Sequence, residues 1–367
     1  MAKADCPLST AYCLLPTVHC PLPTFVPVVY DVLILGRGIA GAVLAEACRL
    51  RGLSAQVFDQ RLDGSATWAA GGAVNPVVFR RDTLCWGAER FMPAAKAFYN
   101  RWEAHLGLSC WHDEPLVKLF TGPQEAALWE QALQKPGMAP FLASRPEPEI
   151  DAGPFRAPHG YGTVTYAGRL DIPRLLDAQR TQLLADGTLH EKMMDPEEVR
   201  HEGGLVAIGE VKGRWLVDCS GPFHASEGLV PVKGETLTVH IPGLRLTRMV
   251  YGAIGLLAAG DGVFRVGSTF KWTDVWEGPT AQARDWMLER LSEMLEAHVE
   301  PVEAHAGVRP AARDRKPILG MVGKGIAVFN GLGARGVMQA PWCAGHLLDH
   351  LFEGKPLDAE VDAARYA

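Results

Sequence analysis

No stretch of the 367-residue sequence is apolar for long enough to cross a bilayer. The longest runs, such as residues 250–259, are broken by glycine and fall short of the roughly 18–20 residues that a spanning helix needs. Charge of either sign is also scarce as an excess. The 36 Lys and Arg against 42 Asp and Glu leave a formal charge of −6, without basic clusters. A surface that binds phosphate backbones needs clustered cations, so nucleic acid is not the expected partner and a small molecule is. The eight cysteines, Cys6, Cys13, Cys20, Cys48, Cys85, Cys110, Cys219 and Cys343, never form a CxxC pair. That excludes the common zinc and thiol-redox arrangements and suits reduced thiols in a cytoplasmic protein. Nor is there an obvious Ser/His/Asp set for nucleophilic catalysis.

The first 28 residues read as a leader. Cys6, Cys13 and Cys20 recur every seven residues beside His19, a spacing too wide to close a compact tetrahedral metal site, so no metal is expected. Lys3 gives a positive start, but Pro7, Pro16, Pro21 and Pro23 interrupt the apolar region that a secretory signal would need. A disordered tail or an over-extended start is the expectation for 1–28. The remainder, in a chain 48% hydrophobic overall, is large enough for about two domains.

What is present begins at Tyr30. The run "YDVLILGRGIAGAVLAEACRLRGLSAQVFDQ" reads strand, turn, helix, strand. The continuous apolar run 32–35 fits a strand buried on both faces. Gly36, Gly38 and Gly41 then fall at GxGxxG spacing. The first glycine permits a tight turn, the second lets backbone approach a pyrophosphate, and the third lets the helix pack closely. Ile39 and Ala40 open a helix expected over 39–51, whose N-terminal amides attract phosphate. Asp59, 23 residues after Gly36, ends the second strand and is followed by Gln60. A carboxylate there accepts hydrogen bonds from both ribose hydroxyls of an adenosine and repels a 2′-phosphate, so NADP is disfavoured. The motif leaves NAD and FAD open, because both present the same ADP half.

Four further segments decide between them by resemblance. "GSATWAAGGAVNPVVFRR" carries Ala70, Gly71 and Gly72, and "RWLVDCSGP" ends in Ser220 and Gly221. "AGVRPAARDRKPILG" carries Arg309. "VFNGLGARGVMQAPWCAGHLLDHL" carries Gly331, Gly333, Ala334, Arg335, Gly336 and Val337. In this order they resemble the FAD-dependent D-amino-acid oxidase and glycine oxidase superfamily over residues 29 to about 352. The last two runs are most similar to the oxidase domain of the bifunctional enzyme that modifies the tRNA wobble uridine. The resemblance implies a discontinuous Rossmann-like FAD-binding domain (29–80, 165–222 and 306–355) with an inserted antiparallel-sheet substrate domain (81–164 and 223–305). The fold class is thus α/β plus α+β. The late strand, glycine loop and helix also have a physical rationale. They bring backbone amides and a helix N-terminus to one spot, suited to the electron-rich edge of a flavin. Pro341 is expected in the first turn of that helix.

The inserted region has its own signals. Helices are expected over 89–106, 124–134 and 281–298, the last with Met287, Leu291 and Met294 at core spacing. "ETLTVHI" alternates, with Leu237, Val239 and Ile241 on one side, and Gly260-Asp261-Gly262 marks a hairpin turn.

For chemistry, Arg309 is the leading candidate, because a guanidinium fork can hold a substrate carboxylate bidentately. The resemblance implies the same role, and an ion pair with Asp314 is the plain alternative. Arg313, Arg315 and Arg335 are weaker candidates, and Asp314 with Arg315 is expected to brace the loop. His240 and His305 read as packed or solvated. Relatives often place a tyrosine near position 256, where this sequence has Leu256; Tyr251 is the substitute to consider. Where relatives tether flavin through a cysteine, Ala311 and Ala312 stand here, which implies non-covalent FAD. The expected reaction is oxidation of the C–N bond of a small amine or amino acid by hydride transfer to flavin, with oxygen or another acceptor taking the electrons. The alternatives are an alkylamino group on a modified tRNA base, a 2-hydroxy acid, or a flavin-binding interaction module without turnover.

Overall fold

The computed structural model describes residues 28–143, 154–192, 194, 198–224 and 226–367, so the leader expectation for 1–27 lies outside the described residues. The strand Val29–Leu35 lies at the heart of a parallel arrangement. Ala55–Phe58 pairs along one edge and Val211–Asp218 along the other, both parallel to it. Leu189–His190 extends the first side, and Ile326–Asn330 pairs parallel with residues 216–218. The earlier half of Val211–Asp218 instead carries the antiparallel Leu205–Ile208. Val32 and Ile34 enter one core cluster while Leu33 and Leu35 enter another on the opposite face, which is why the run is apolar without alternation. All five parallel strands end at the same edge, where an open α/β sheet binds its ligand.

The helix Ile39–Leu50 covers one face with alanines and Val43, Leu44 and Cys48, all buried. Packed on it is the C-terminal helix Gly336–Glu353. Pro341 is the sixth residue of that helix and not in its first turn as expected. A proline there lacks the N–H that residue 337's carbonyl would receive. The buried Tyr99 hydroxyl donates to that carbonyl at 2.9 Å instead, so the second turn survives its proline.

Tyr99 belongs to the helix Ala88–Leu106. The sequence placed that segment in the substrate region, yet it shares the core of the nucleotide-binding sheet, with Phe91 edge-on to Trp342. The second sheet is mostly antiparallel, and its eight strands run from Glu300–Ala312 through Leu229–His240, Val263–Gly267, Gly255–Gly260 and Met249–Tyr251 to Leu116–Leu119 and beyond. The Gly260-Asp261-Gly262 hairpin forms as expected. Leu237, Val239 and Ile241 bury against Met287, Leu291 and Met294 of Ala281–Met294, which ends four residues earlier than its periodicity suggested. Thr280 caps this helix, its hydroxyl accepting from Ala283 N at 3.2 Å. Glu300–Ala312 pairs along its length with Leu229–His240, so residues 306–312, expected in the FAD-binding segment, belong by pairing to the second sheet. That sheet's other face, with Gly234, Thr236, Arg265, Gly267, Gly307 and Arg309, turns toward the carboxyl edge of the first and lines one cleft with it.

Candidate active site

At the cleft's amino-terminal end, Gly36 has φ +87°, and a Cβ there would lie 2.8 Å from the Cys219 carbonyl oxygen. Gly38 precedes the helix and offers no capping side chain, so the first amides stay available to a ligand. One of them is committed: Ile39 N donates to Thr67 Oγ1 at 3.1 Å. Gly41 does not line the cleft. A Cβ there would meet the Gly36 carbonyl oxygen at 1.9 Å, so its glycine serves close packing of helix on turn.

Asp59 stands at the end of its strand with Gln60, both on the cleft wall. Its Oδ1 accepts from Arg37 N at 2.8 Å, and its Oδ2 lies 3.9 Å from Arg37 Nε. The Arg37 side chain is only 2% exposed and also donates to the Leu176 carbonyl at 2.8 Å. Burial pushes the Asp59 carboxyl above its ordinary range, opposed by the Arg37 amide and guanidinium. Arg37 went unnoticed in the sequence because a cation between two motif glycines reads as solvent-facing.

Small residues form the middle of the crevice. Ala70, Gly71 and Gly72 line it, and at Gly72, with φ +77°, a Cβ would fall 2.0 Å from the Leu170 carbonyl oxygen. Ser220 and Gly221 line it from the end of the fourth parallel strand. Asn330 ties the late glycine loop to that strand's end: its Nδ2 donates to Gly221 O at 2.8 Å and its Oδ1 accepts from Gly331 N at 2.9 Å. Gly333, Ala334, Gly336 and Val337 complete the carboxy-terminal wall. Here a Cβ on Gly336 would meet Ile39 Cγ2 at 2.8 Å, so two helix N-termini meet in one crevice.

Three more expected contacts lie elsewhere. Gly331 is a turn residue at φ +74°, closed against Ile318. Arg335 points to the buried Cys85. Tyr251 packs on Phe79 with ring centroids 4.9 Å apart and is not among the residues lining the cleft. A strand-end tyrosine gives no sequence signal of which face it takes.

Arg309 sits on the cleft wall, with Nη2 donating to Ser268 Oγ at 2.7 Å and Nη1 to the carbonyls of Thr269 at 3.1 Å and Lys233 at 3.3 Å. All three acceptors are neutral. Asp314 pairs instead with Arg365 at 3.0 Å, so the alternative ion pair does not form; Asp314 braces its own loop by accepting from Lys316 N at 3.0 Å, and no ion pair joins it to Arg315 among the described residues. No carboxylate pairs with Arg309 among the described residues, and burial alone lowers its pKa to about 10. Other wall residues lacked any sequence signal, among them Thr236, whose hydroxyl donates to Ala69 O at 2.8 Å, and Arg265.

An elongated dinucleotide suits this crevice. It offers helix amides for phosphates, a buried carboxylate for a ribose, glycines that let the backbone itself form the middle wall, and a second helix N-terminus at the far end. Cys219, which also lines the crevice, is a fully protonated thiol, since burial holds its pKa well above the ordinary value.

Comparisons with known proteins agree. The chain is 27% identical over 333 residues to the tRNA 5-methylaminomethyl-2-thiouridine biosynthesis bifunctional protein MnmC of Burkholderia pseudomallei (strain 668), covering 80% of this chain and 49% of that protein. It is 27% identical to the protein of the same name from Caulobacter sp. (strain K31), covering 91% of this chain and 57% of that one. The chain thus spans about half the length of the curated relatives it matches. Among solved structures, iminodiacetate oxidase from Chelativorans sp. BNC1 superposes with a TM-score of 0.74 at 21% identity, covering 92% of this chain and 98% of that one. Glycine oxidase from Geobacillus kaustophilus gives 0.73 at 19%, with the same coverage, and L-proline dehydrogenase from P. horikoshii 0.76 at 16%, covering 93% and 98%. These likenesses show the fold. The model of the DAO family, described as FAD dependent oxidoreductase, matches residues 31–350, and the chain belongs to that family.

Proposed function

We propose that this FAD-dependent oxidoreductase oxidises the C–N bond of a small amine or amino acid that carries a carboxylate. The observation that carries this reading is Arg309, a cation on the cleft wall whose partners among the described residues are all neutral. A buried guanidinium without a counter-ion is costly, and a substrate carboxylate offsets that cost with two parallel charge-assisted bonds. Bound FAD would supply a two-electron acceptor for the hydride. The protein's own part is positioning and electrostatics. Arg309 would fix the substrate by its carboxylate, and the second sheet would keep water from the reacting carbon. The opening turn of Gly336–Glu353 would direct positive partial charge into the cleft. An amine bound unprotonated needs no side-chain base, and loss of hydride leaves an imine that water hydrolyses. FAD would be held without a covalent bond by Gly36, Gly38, Asp59, Gly71, Gly72, Ser220 and Gly333.

Anaerobic mixing of the flavin-loaded protein with amino acids, amines and 2-hydroxy acids tests this. Bleaching of the flavin by an amino acid, with ammonia or amine released, is expected. Bleaching by hydroxy acids alone, or by no carbon donor while dithionite still bleaches, would overturn it. The MnmC likeness supports a second reading, oxidation of an alkylamino group on a modified tRNA base. The net charge of −6 weighs against it, and tight tRNA binding with a steep salt dependence would favour it.

A further inference from the structure

The face of the second sheet turned away from the cleft holds an ion pair that the proposed reaction leaves unused. Lys233 and Glu235 lie 2.9 Å apart with side chains 0% and 4% exposed. A pair so buried is costly unless further hydrogen bonds satisfy it, and here those bonds go to one segment. Lys233 Nζ donates to Gly278 O at 2.8 Å, and Glu235 Oε2 accepts from Thr280 N at 2.6 Å. The Lys233 backbone exchanges bonds of 2.9 and 3.0 Å with Lys271, and Thr269 N donates to Glu235 O at 3.1 Å. Both ends of the stretch 269–280 are therefore clamped to the strand that runs under Arg309.

This clamped segment exposes three large aromatic side chains: Phe270 at 54%, Trp272 at 63% and Trp276 at 54%. Each forgoes burial that would favour folding. Two are placed against the cleft. The Phe270 ring lies 4.3 Å from Arg309 Cζ, and the Trp276 ring lies 5.4 Å from that of Phe223, itself a cleft wall residue. The aromatic edge thus runs from the guanidinium to a wall of the cleft.

We propose that residues 268–278 form a rigid aromatic rim that receives a planar ring of the substrate, so that the oxidised amine carries an aromatic or heteroaromatic group beside its anionic one. The proposal rests on the reading of Arg309 as holder of the substrate anion. Stacking on Phe270 and Trp276 selects for a flat ring, and the clamp keeps both side chains in place before it arrives, which lowers the ordering cost of binding.

The test uses the flavin-loaded full chain and two carboxylates that need no turnover, indole-3-acetate and hexanoate, titrated by perturbation of the flavin spectrum. Indole-3-acetate is expected to bind about tenfold tighter or better, and Trp276→Ala and Phe270→Leu, with flavin retained, should each reduce that preference severalfold. Equal affinity for the two acids, or a preference that survives both substitutions, would overturn the rim. A fluorescein-labelled RNA stem-loop separates the sources of the ring. Binding abolished by Trp276→Ala assigns it to a nucleobase, and no RNA binding alongside the indole preference assigns it to a free small molecule. A protein that prefers indole-3-acetate yet is bleached by no amine keeps the rim and loses the reaction. One that oxidises aliphatic and aromatic amines alike keeps the reaction and loses the rim.

Discussion

At Gly234, one added methyl group would lie 2.0 Å from Nη2 of Arg309. The guanidinium lies flat across the neighbouring strand only because that position has no side chain. Arg309→Ala should raise KM for the best amine on the order of 10²-fold, the effect of losing a charged contact of about 3 kcal/mol. Gly234→Ala should do nearly the same while the flavin stays bound, and unchanged steady-state kinetics in both would remove Arg309 from the site. Asp59 gives a pH prediction. Burial raises its pKa, so the carboxylate that a ribose needs is present above that value and is lost as pH falls through it. Flavin retention, followed by ultrafiltration, should fail at a higher pH than an ordinary carboxylate near 3.9 would give. Asp59→Asn should abolish that step. Asp59 was legible because its distance from the glycine turn is set by one helix and one strand. Arg37 and Thr236 were not, since their roles depend on chain segments far away in sequence.

Elements show the same division. The strand Val29–Leu35 and the helix Ile39–Leu50 declared themselves by local pattern, whereas Pro341 misled, because proline is ordinarily a first-turn residue. What rescues it is a hydroxyl from 238 residues earlier in the chain. Tyr99→Phe should therefore cost about 1–3 kcal/mol by leaving the buried Val337 carbonyl unpaired. Pro341→Ala in that background should recover much of the loss, because alanine restores the N–H. Thermal or urea unfolding of the four-member cycle reads this directly, and purely additive losses would refute it. For the clamp under the aromatic segment, Glu235→Gln strands the Lys233 charge. A destabilisation of about 3–5 kcal/mol is expected, with early proteolysis within 269–280.

The whole molecule should be isolated yellow, and acid should release the flavin intact, since Ala311 and Ala312 stand where a tether would form. Added FAD at 100 times its Kd should stabilise the apoprotein by about 2.7 kcal/mol, seen as a rise in Tm. A colourless protein that takes up no FAD would contradict this. The two-sheet architecture was readable because each sheet has its own periodicity, continuous in one and alternating in the other. The boundary between them was less so. Helix Ala88–Leu106 joins the first sheet's core through Phe91, Tyr99 and Trp102, and no hydropathy pattern tells a helix which of two cores it will enter.

Ile39 and Gly336 touch across nearly three hundred residues of intervening chain. On the ribosome the first half of the nucleotide cradle emerges nearly three hundred residues before its other wall. Cofactor loading should accordingly wait for the second wall, and nascent chains halted before Gly336–Glu353 should remain flavin-free however much FAD the cell supplies.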